Sequence, residues 1–300
     1  MTAQVIAVVG PTAAGKSELA VSLARALGGE VVNADSMQLY RGMDIGTAKL
    51  SEPEQGGIVH HLLDVWPVTR TVTAADYQVL CRGVVDDLLL QGRTPVLVGG
   101  SGLYLRAALD QLDFPGTDPE LRARLEGELA AGGALALHAR LAELDPQAAA
   151  RMEPTNGRRV VRALEVVTMT GAMPGALTSY EGHYATTYLG VDRPDLAERI
   201  AVRVERMWEQ GLVAEVRALE QEGLRDGVTA SRALGYAQVL GVLDGRWDEA
   251  EAKALTVTST RRFARRQRAW FRRDPRVHWL DPDRPLLDAA LDMTRHNPSG

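Results

Sequence analysis

The chain has 300 residues, enough for one large α/β domain carrying an insertion or for two domains. Its composition is ordinary for a globular protein, 45% hydrophobic and 24% charged, and a net charge of -5 leaves any nucleic-acid site to a local basic patch. A single cysteine, Cys81, excludes a disulfide framework within the chain and a multi-cysteine metal site, and the absence of a signal peptide or an 18-residue apolar run predicts a soluble, cytoplasmic protein without membrane contact.

Val5 to Val9 is an apolar, β-branched run that reads as a buried strand. It stops at Gly10, and Gly10, Pro11, Thr12, Ala13, Ala14, Gly15, Lys16 and Ser17 spell G-x-x-x-x-G-K-[ST]. Helical periodicity follows in Leu19, Leu23 and Leu27, stopped by Gly28-Gly29. Strand, glycine-rich loop and helix in that order make a phosphate loop. Its backbone N–H groups and the helix N-terminus face phosphate oxygens, Lys16 adds a full charge, and the Ser17 hydroxyl is placed to ligate Mg²⁺. Lys16, Lys49 and Lys253 are the only lysines in an Arg-rich chain, so a lysine at this position stands out.

Glu30 to Asp35 reads as a second strand, with Asp35 at the carboxyl edge where doubly wound sheets bind ligands. A long glycine-punctuated loop runs from Ser36 to Lys49. His60 to Val65 reads as a third strand, Thr73 to Leu90 as a helix, and Thr94 to Val98 as a strand feeding Gly99-Gly100-Ser101 and a helix from Leu103 to Leu109. Between about Pro115 and Gly182 strand signals vanish. Helical patterns at 120–131, 134–144 and 158–170 are broken by glycines and prolines, which predicts a helical insertion. Thr186 to Val191 returns to strand, helices follow at 194–210 and 212–222, and a basic helix runs from Thr256 to about Arg273. In that helix Trp270 and Phe271 are expected as core anchors. The tail from about Asp281 is expected to fray. No acidic residue ends the strand at Pro95–Val98, although P-loop hydrolases use one there to help hold Mg²⁺. That points away from hydrolysis and toward transfer, with Asp35 available to deprotonate an acceptor.

Asn33-Ala-Asp-Ser36, Tyr40-Arg-Gly-Met-Asp-Ile-Gly-Thr-Ala-Lys49, Gly99-Gly-Ser-Gly-Leu-Tyr104, Arg162-Ala-Leu-Glu165, Gly235-Tyr236 and Arg265-Arg-Gln-Arg-Ala-Trp-Phe271 follow the phosphate loop in order. With them the sequence resembles the bacterial tRNA dimethylallyltransferases over roughly residues 4 to 275. The resemblance implies an α/β fold with a P-loop NTPase-like parallel-sheet core (residues 1–114 and 183–300) and an all-helical insertion contacting tRNA (115–182). It implies transfer of a dimethylallyl group from dimethylallyl diphosphate to the exocyclic amino group of adenosine 37 of tRNA, with Mg²⁺, by a chain acting as a monomer. Residue by residue it implies that Gly10 to Ser17 hold the diphosphate and that Thr12 contacts the leaving oxygen. Asp35 is then the general base, and Arg232 grips the diphosphate from the far side. Asp35, Ser36, Met37, Gln38, Ser101, Arg122, Arg158, Arg159 and Arg162 match positions that touch tRNA. Two departures stand out: Ser101 where the family has Thr, and Asn156-Gly157-Arg158 where a Pro-Gln type of pair usually precedes Arg159.

The residues by themselves leave two other readings open. A small-molecule or nucleotide kinase would use the same loop for ATP and Asp35 to activate a hydroxyl. A non-catalytic RNA-binding module would use a nucleotide as a switch. Asp35 could also cap local structure, and the arginines at 158–162 and 261–273 could be solvated faces.

Overall fold

The apolar run Val5–Val9 forms strand β1, and all five of its side chains are buried. The computed structural model describes residues 4–173 and 179–296; residues 174–178 of the expected insertion and the last four of the tail lie outside them. After β1 come α1 (Lys16–Leu27), β2 (Glu30–Asn33), α2 (Glu52–Gln55), β3 (His60–His61), α3 (Ala74–Leu90), β4 (Pro95–Gly99) and α4 (Gly102–Leu109). Three helices follow: α5 (Pro119–Leu144), α6 (Pro146–Ala150) and α7 (Gly157–Thr170). The chain continues with β5 (Thr186–Gly190), α8 (Leu196–Glu209), α9 (Leu212–Gln221), α10 (Tyr236–Leu243), α11 (Glu249–Phe271), β6 (Val277–Trp279) and α12 (Leu286–His296).

The six strands form one parallel sheet in the order β3-β2-β4-β1-β5-β6. Alternation along β1 sorts its side chains to two cores. Val5, Ala7 and Val9 pack with Tyr77, Cys81 and Val85 of α3, whereas Ile6 and Val8 pack with Leu19 and Leu23 of α1 and Ile200 of α8. A strand covered on both faces is continuously apolar, which is why β1 reads as a run rather than an alternation. Each fully buried Val or Ile contributes roughly 1.5–3 kcal/mol.

The chain divides into two compact units, Met1–Gln111 with Glu181–Gly300, and Leu112–Tyr180. The second unit is helical and has its own core of Leu121, Leu125, Leu141, Val160 and Leu164. Gly133 breaks α5 with φ 77° and ψ 171°, so the two helices expected on either side of Gly132-Gly133 meet there at a kink.

Several expectations are corrected. β3 ends at His61 because Leu62 and Asp64 take positive φ (62° and 55°), which stops an extended run toward Val65. β6 was not expected; its three residues are too few to show a period, and pairing with Tyr188–Gly190 defines it. α11 starts at Glu249 rather than Thr256. Asp248 caps it by accepting the Glu251 N–H at 2.8 Å, while Glu251 accepts the Asp248 N–H in return. The tail does not fray at Asp281, because α12 buries Ala289 and Ala290 beside α1. Phe271 is a core residue, but Trp270 is 37% exposed. Among the described residues no helix is long and apolar enough to cross a membrane.

Candidate active site

β1 lies inside the sheet, with β4 on one side and β5 on the other, and the phosphate loop leaves its carboxyl end. Gly10 has φ 139°, and a Cβ there would stand 2.1 Å from the Val191 carbonyl, so only glycine lets the loop begin this close to the end of β5. Gly15, at φ 95°, turns the chain into α1. Lys16 folds back over the loop and donates from Nζ to the Pro11 carbonyl at 2.8 Å. Ser17 is the second residue of α1, in the helix's first turn.

Helix α8 brings two arginines one turn apart to the same loop. Arg199 Nε donates to the Ala13 carbonyl at 2.8 Å, and Arg203 Nη1 donates to the Thr12 hydroxyl at 3.1 Å. Neither was expected at the site; only the packing of α8 against the loop brings them there. Arg232, expected to grip the diphosphate, lies on a 3-10 turn (Ala230–Arg232) with its side chain exposed, and the guanidinium that acts on Lys16 and Asp35 is that of Arg203. Of the two arginines it is Arg203, not Arg232, that hydrogen-bonds the phosphate loop.

Asp35 sits two residues past β2, partly buried. Asn33 Oδ1 accepts the Asp35 N–H at 2.9 Å, and Asp35 Oδ1 accepts the Met37 N–H at 2.9 Å. Burial raises the Asp35 pKa above the ordinary 3.8, opposed by the Met37 N–H and the charge of Lys16. Burial pushes Lys16 down to about 8, with Asp35 pulling it up and Arg203 pushing it further down. The site thus gathers Lys16, Arg199 and Arg203 around one inner carboxylate, an excess of positive charge suited to a polyanion.

A side chain at Gly99 would meet the Ala34 carbonyl at 2.4 Å, so the strand-end acid of P-loop hydrolases has no room on β4. Among the described residues no group of three His, Cys, Asp or Glu is placed to hold a metal ion. The donor set available is Ser17 and Asp35. That fits an ion carried mainly by a phosphate ligand and water, which is how Mg²⁺ commonly binds.

Of the residues expected to touch tRNA, Ser36 and Ser101 meet beside Asp35, their hydroxyls 3.4 Å apart. Gln38 Nε2 donates to the Thr47 carbonyl at 3.2 Å, tying it to the long loop. That loop is held by Glu215, another residue missed from sequence, whose carboxylate accepts the Ile45 N–H at 2.8 Å and the Tyr236 hydroxyl at 2.5 Å. In the helical unit Arg158 and Arg159 are exposed on the first turn of α7. Arg122 and Arg162 instead both bind the fully buried Glu165, and about a third of each side chain stays exposed.

A parallel sheet with a phosphate loop at the end of an inner strand defines the P-loop α/β class. Comparison with known proteins narrows it. A family model described as IPP transferase matches residues 38–274. A tRNA dimethylallyltransferase of Thermobifida fusca is 64% identical over 298 residues, covering 96% of this chain and 93% of that protein. One of Streptomyces coelicolor is 65% identical over 280 residues, covering 92% and 90%. The crystal structure of the full-length tRNA isopentenylpyrophosphate transferase of Bacillus halodurans matches with TM-score 0.70 at 37% identity, over 97% of this chain and 98% of that one. A eukaryotic dimethylallyltransferase captured acting on tRNA matches with TM-score 0.80 at 25% identity, over 99% and 77%. The chain belongs to the IPP transferase family. It is a prenyl-transferring enzyme, and the kinase reading is not favoured.

Proposed function

We propose that this protein transfers the dimethylallyl group of dimethylallyl diphosphate to the exocyclic amino nitrogen of adenosine 37 of tRNA, releasing diphosphate. The observation that carries the reading is the meeting of Lys16, Arg203 and Thr12 on one phosphate loop with Asp35 across from Lys16.

The bond from C1 of the dimethylallyl group to the diphosphate oxygen breaks, and its electrons leave with the diphosphate. Loop N–H groups, Lys16 and Arg203 neutralise that charge as it develops, and the Thr12 hydroxyl, polarised by Arg203, donates its proton toward the leaving oxygen. Mg²⁺ held by Ser17 and the diphosphate would add a Lewis-acid charge on the same oxygens. The adenine amino nitrogen forms the new bond to C1. Its surplus proton passes to Asp35, whose raised pKa makes it a better proton acceptor than an ordinary carboxylate. The base must be unstacked from the anticodon loop to reach Asp35. Ser36, Met37, Gln38 and Ser101 line that approach. Arg158 and Arg159 serve phosphates of the tRNA backbone, and Arg122 and Arg162 contribute through their exposed part.

The test is mass spectrometry of nucleosides from unmodified tRNA incubated with purified protein, dimethylallyl diphosphate and Mg²⁺. The expected product is N6-dimethylallyladenosine. Phosphoryl transfer from ATP with no modified adenosine would overturn the reading.

A further inference from the structure

One side chain at the loop is left over by this chemistry. Gln267, on α11, is 5% exposed and lies 255 residues from Thr12. Its Oε1 accepts the Thr12 N–H at 2.9 Å, and its Nε2 donates to the Gly100 carbonyl at 3.0 Å. A main-chain N–H can only donate and a carbonyl can only accept, so the two contacts fix which way the amide points. The turn after β4 is shaped to admit it: a Cβ on Gly100 would come 2.1 Å from Nε2.

The consequence lies in the front of the phosphate loop. Thr12 is thereby held at two points, its N–H by Gln267 Oε1 and its hydroxyl by Arg203 Nη1. The next residue, Ala13, has φ 67°, a left-handed conformation that a non-glycine residue holds only when its surroundings enforce it. Its carbonyl is the one bound by Arg199. Among the described residues Gln267 is thus the only side chain that hydrogen-bonds both Thr12 and the turn after β4, the strand beside β1, and it sits on the helix that presents the exposed Arg262, Arg265 and Arg266.

We propose that Gln267 is a positioning residue for the transfer step, holding the Thr12 main chain so that the Thr12 hydroxyl meets the leaving oxygen. This rests on the function proposed above. Gln267 touches no reacting atom; it acts through Thr12.

Two variants test it by single-turnover kinetics on full-length protein with dimethylallyl diphosphate, Mg²⁺ and tRNA. Gln267→Leu removes both hydrogen bonds. The expected result is a kcat lower by about 10- to 100-fold, with KM for both substrates within about threefold, because a misplaced hydroxyl is felt in the transition state more than in binding. Gln267→Glu keeps the acceptor for Thr12 but can donate to Gly100 only when protonated. The ratio of its rate to the wild-type rate should therefore rise severalfold between about pH 8 and about pH 6, a signature that damage to the fold alone does not give. Taking the ratio removes the pH dependence of Asp35, which both proteins share. A Gln267→Leu kcat within threefold of wild type, a loss confined to KM, or a ratio flat with pH for Gln267→Glu would overturn the proposal. If Gln267→Leu fails to fold, the Glu ratio decides alone. Wild-type protein inactive in the same assay would overturn the function itself, so the two failures are distinguishable.

Discussion

Arg203 Nη1 stands 3.1 Å from the Thr12 hydroxyl, joining residues 191 positions apart at the mouth of the phosphate loop. A charge-assisted bond to the hydroxyl proposed to meet the leaving oxygen makes Arg203 the guanidinium expected to matter most for the donor. Arg203→Ala should lower turnover by roughly 10²–10³-fold, the usual effect of removing one donor aimed at developing charge. Arg232→Ala, removing an exposed side chain, should leave the affinity for dimethylallyl diphosphate nearly unchanged. Calorimetry with the diphosphate and steady-state rates on both variants check this, and the reverse order of effects would return the role to Arg232.

Asp35→Asn keeps the shape of the side chain but cannot take a proton. If Asp35 is the base, single-turnover chemistry should slow by roughly 10²–10⁴-fold while tRNA binding changes little. Because Asp35 Oδ1 accepts the Met37 N–H, Asn preserves the local turn, so a near-normal rate would mean that this turn is the residue's whole role. Partial rescue of the variant by excess Mg²⁺ would assign Asp35 to the metal instead.

Activity and stability should respond to pH in opposite directions on the alkaline side. The proposed transfer needs Asp35 ionised and Lys16 charged, so kcat/KM for the donor should fall on the acid side at a pH above the ordinary carboxylate value of 3.8 and on the alkaline side near 8. In the ligand-free protein Lys16 titrates near 8, against an ordinary 10.5. Between those values the unfolded chain binds more protons, so stability rises with pH across that window. Thermal melts of wild type and Lys16→Met from neutral to alkaline pH should show the rise in wild type alone.

The helical unit separates two kinds of arginine. Arg158 and Arg159 are exposed, whereas Arg122 and Arg162 neutralise the buried Glu165. Replacing Arg158 and Arg159 together by Ala should flatten the log–log salt dependence of tRNA affinity by about 1.5, a bit under one unit per lost phosphate contact, with no change in melting temperature. Arg122→Ala should cost about 1–3 kcal/mol of stability by leaving Glu165 short of a partner. An unchanged salt slope in the double variant would identify a merely solvated face.

The phosphate loop was legible because its function is local: strand, glycine turn and helix follow one another, and Lys16 and Ser17 are placed by that succession alone. β1, β2, β4 and β5, the helices of the insertion and the edge position of Asp35 were legible for the same reason, since hydrophobic period and breakers act over a few residues. What escaped was everything defined by contact across the chain. β6 exists by its pairing with β5, and α12 is ordered by packing near α1. Arg199, Arg203, Glu215 and Gln267 have no local pattern that marks them as site residues. They became so only when α8, α9 and α11 came to lie against the loops at the carboxyl edge of the sheet. The sequence by itself determined that a phosphate loop is present and which lysine belongs to it. Only the tertiary structure decided which arginine bonds to that loop and what holds Thr12 in place, because hydrogen bonds reach about 3 Å in space however many residues separate the partners.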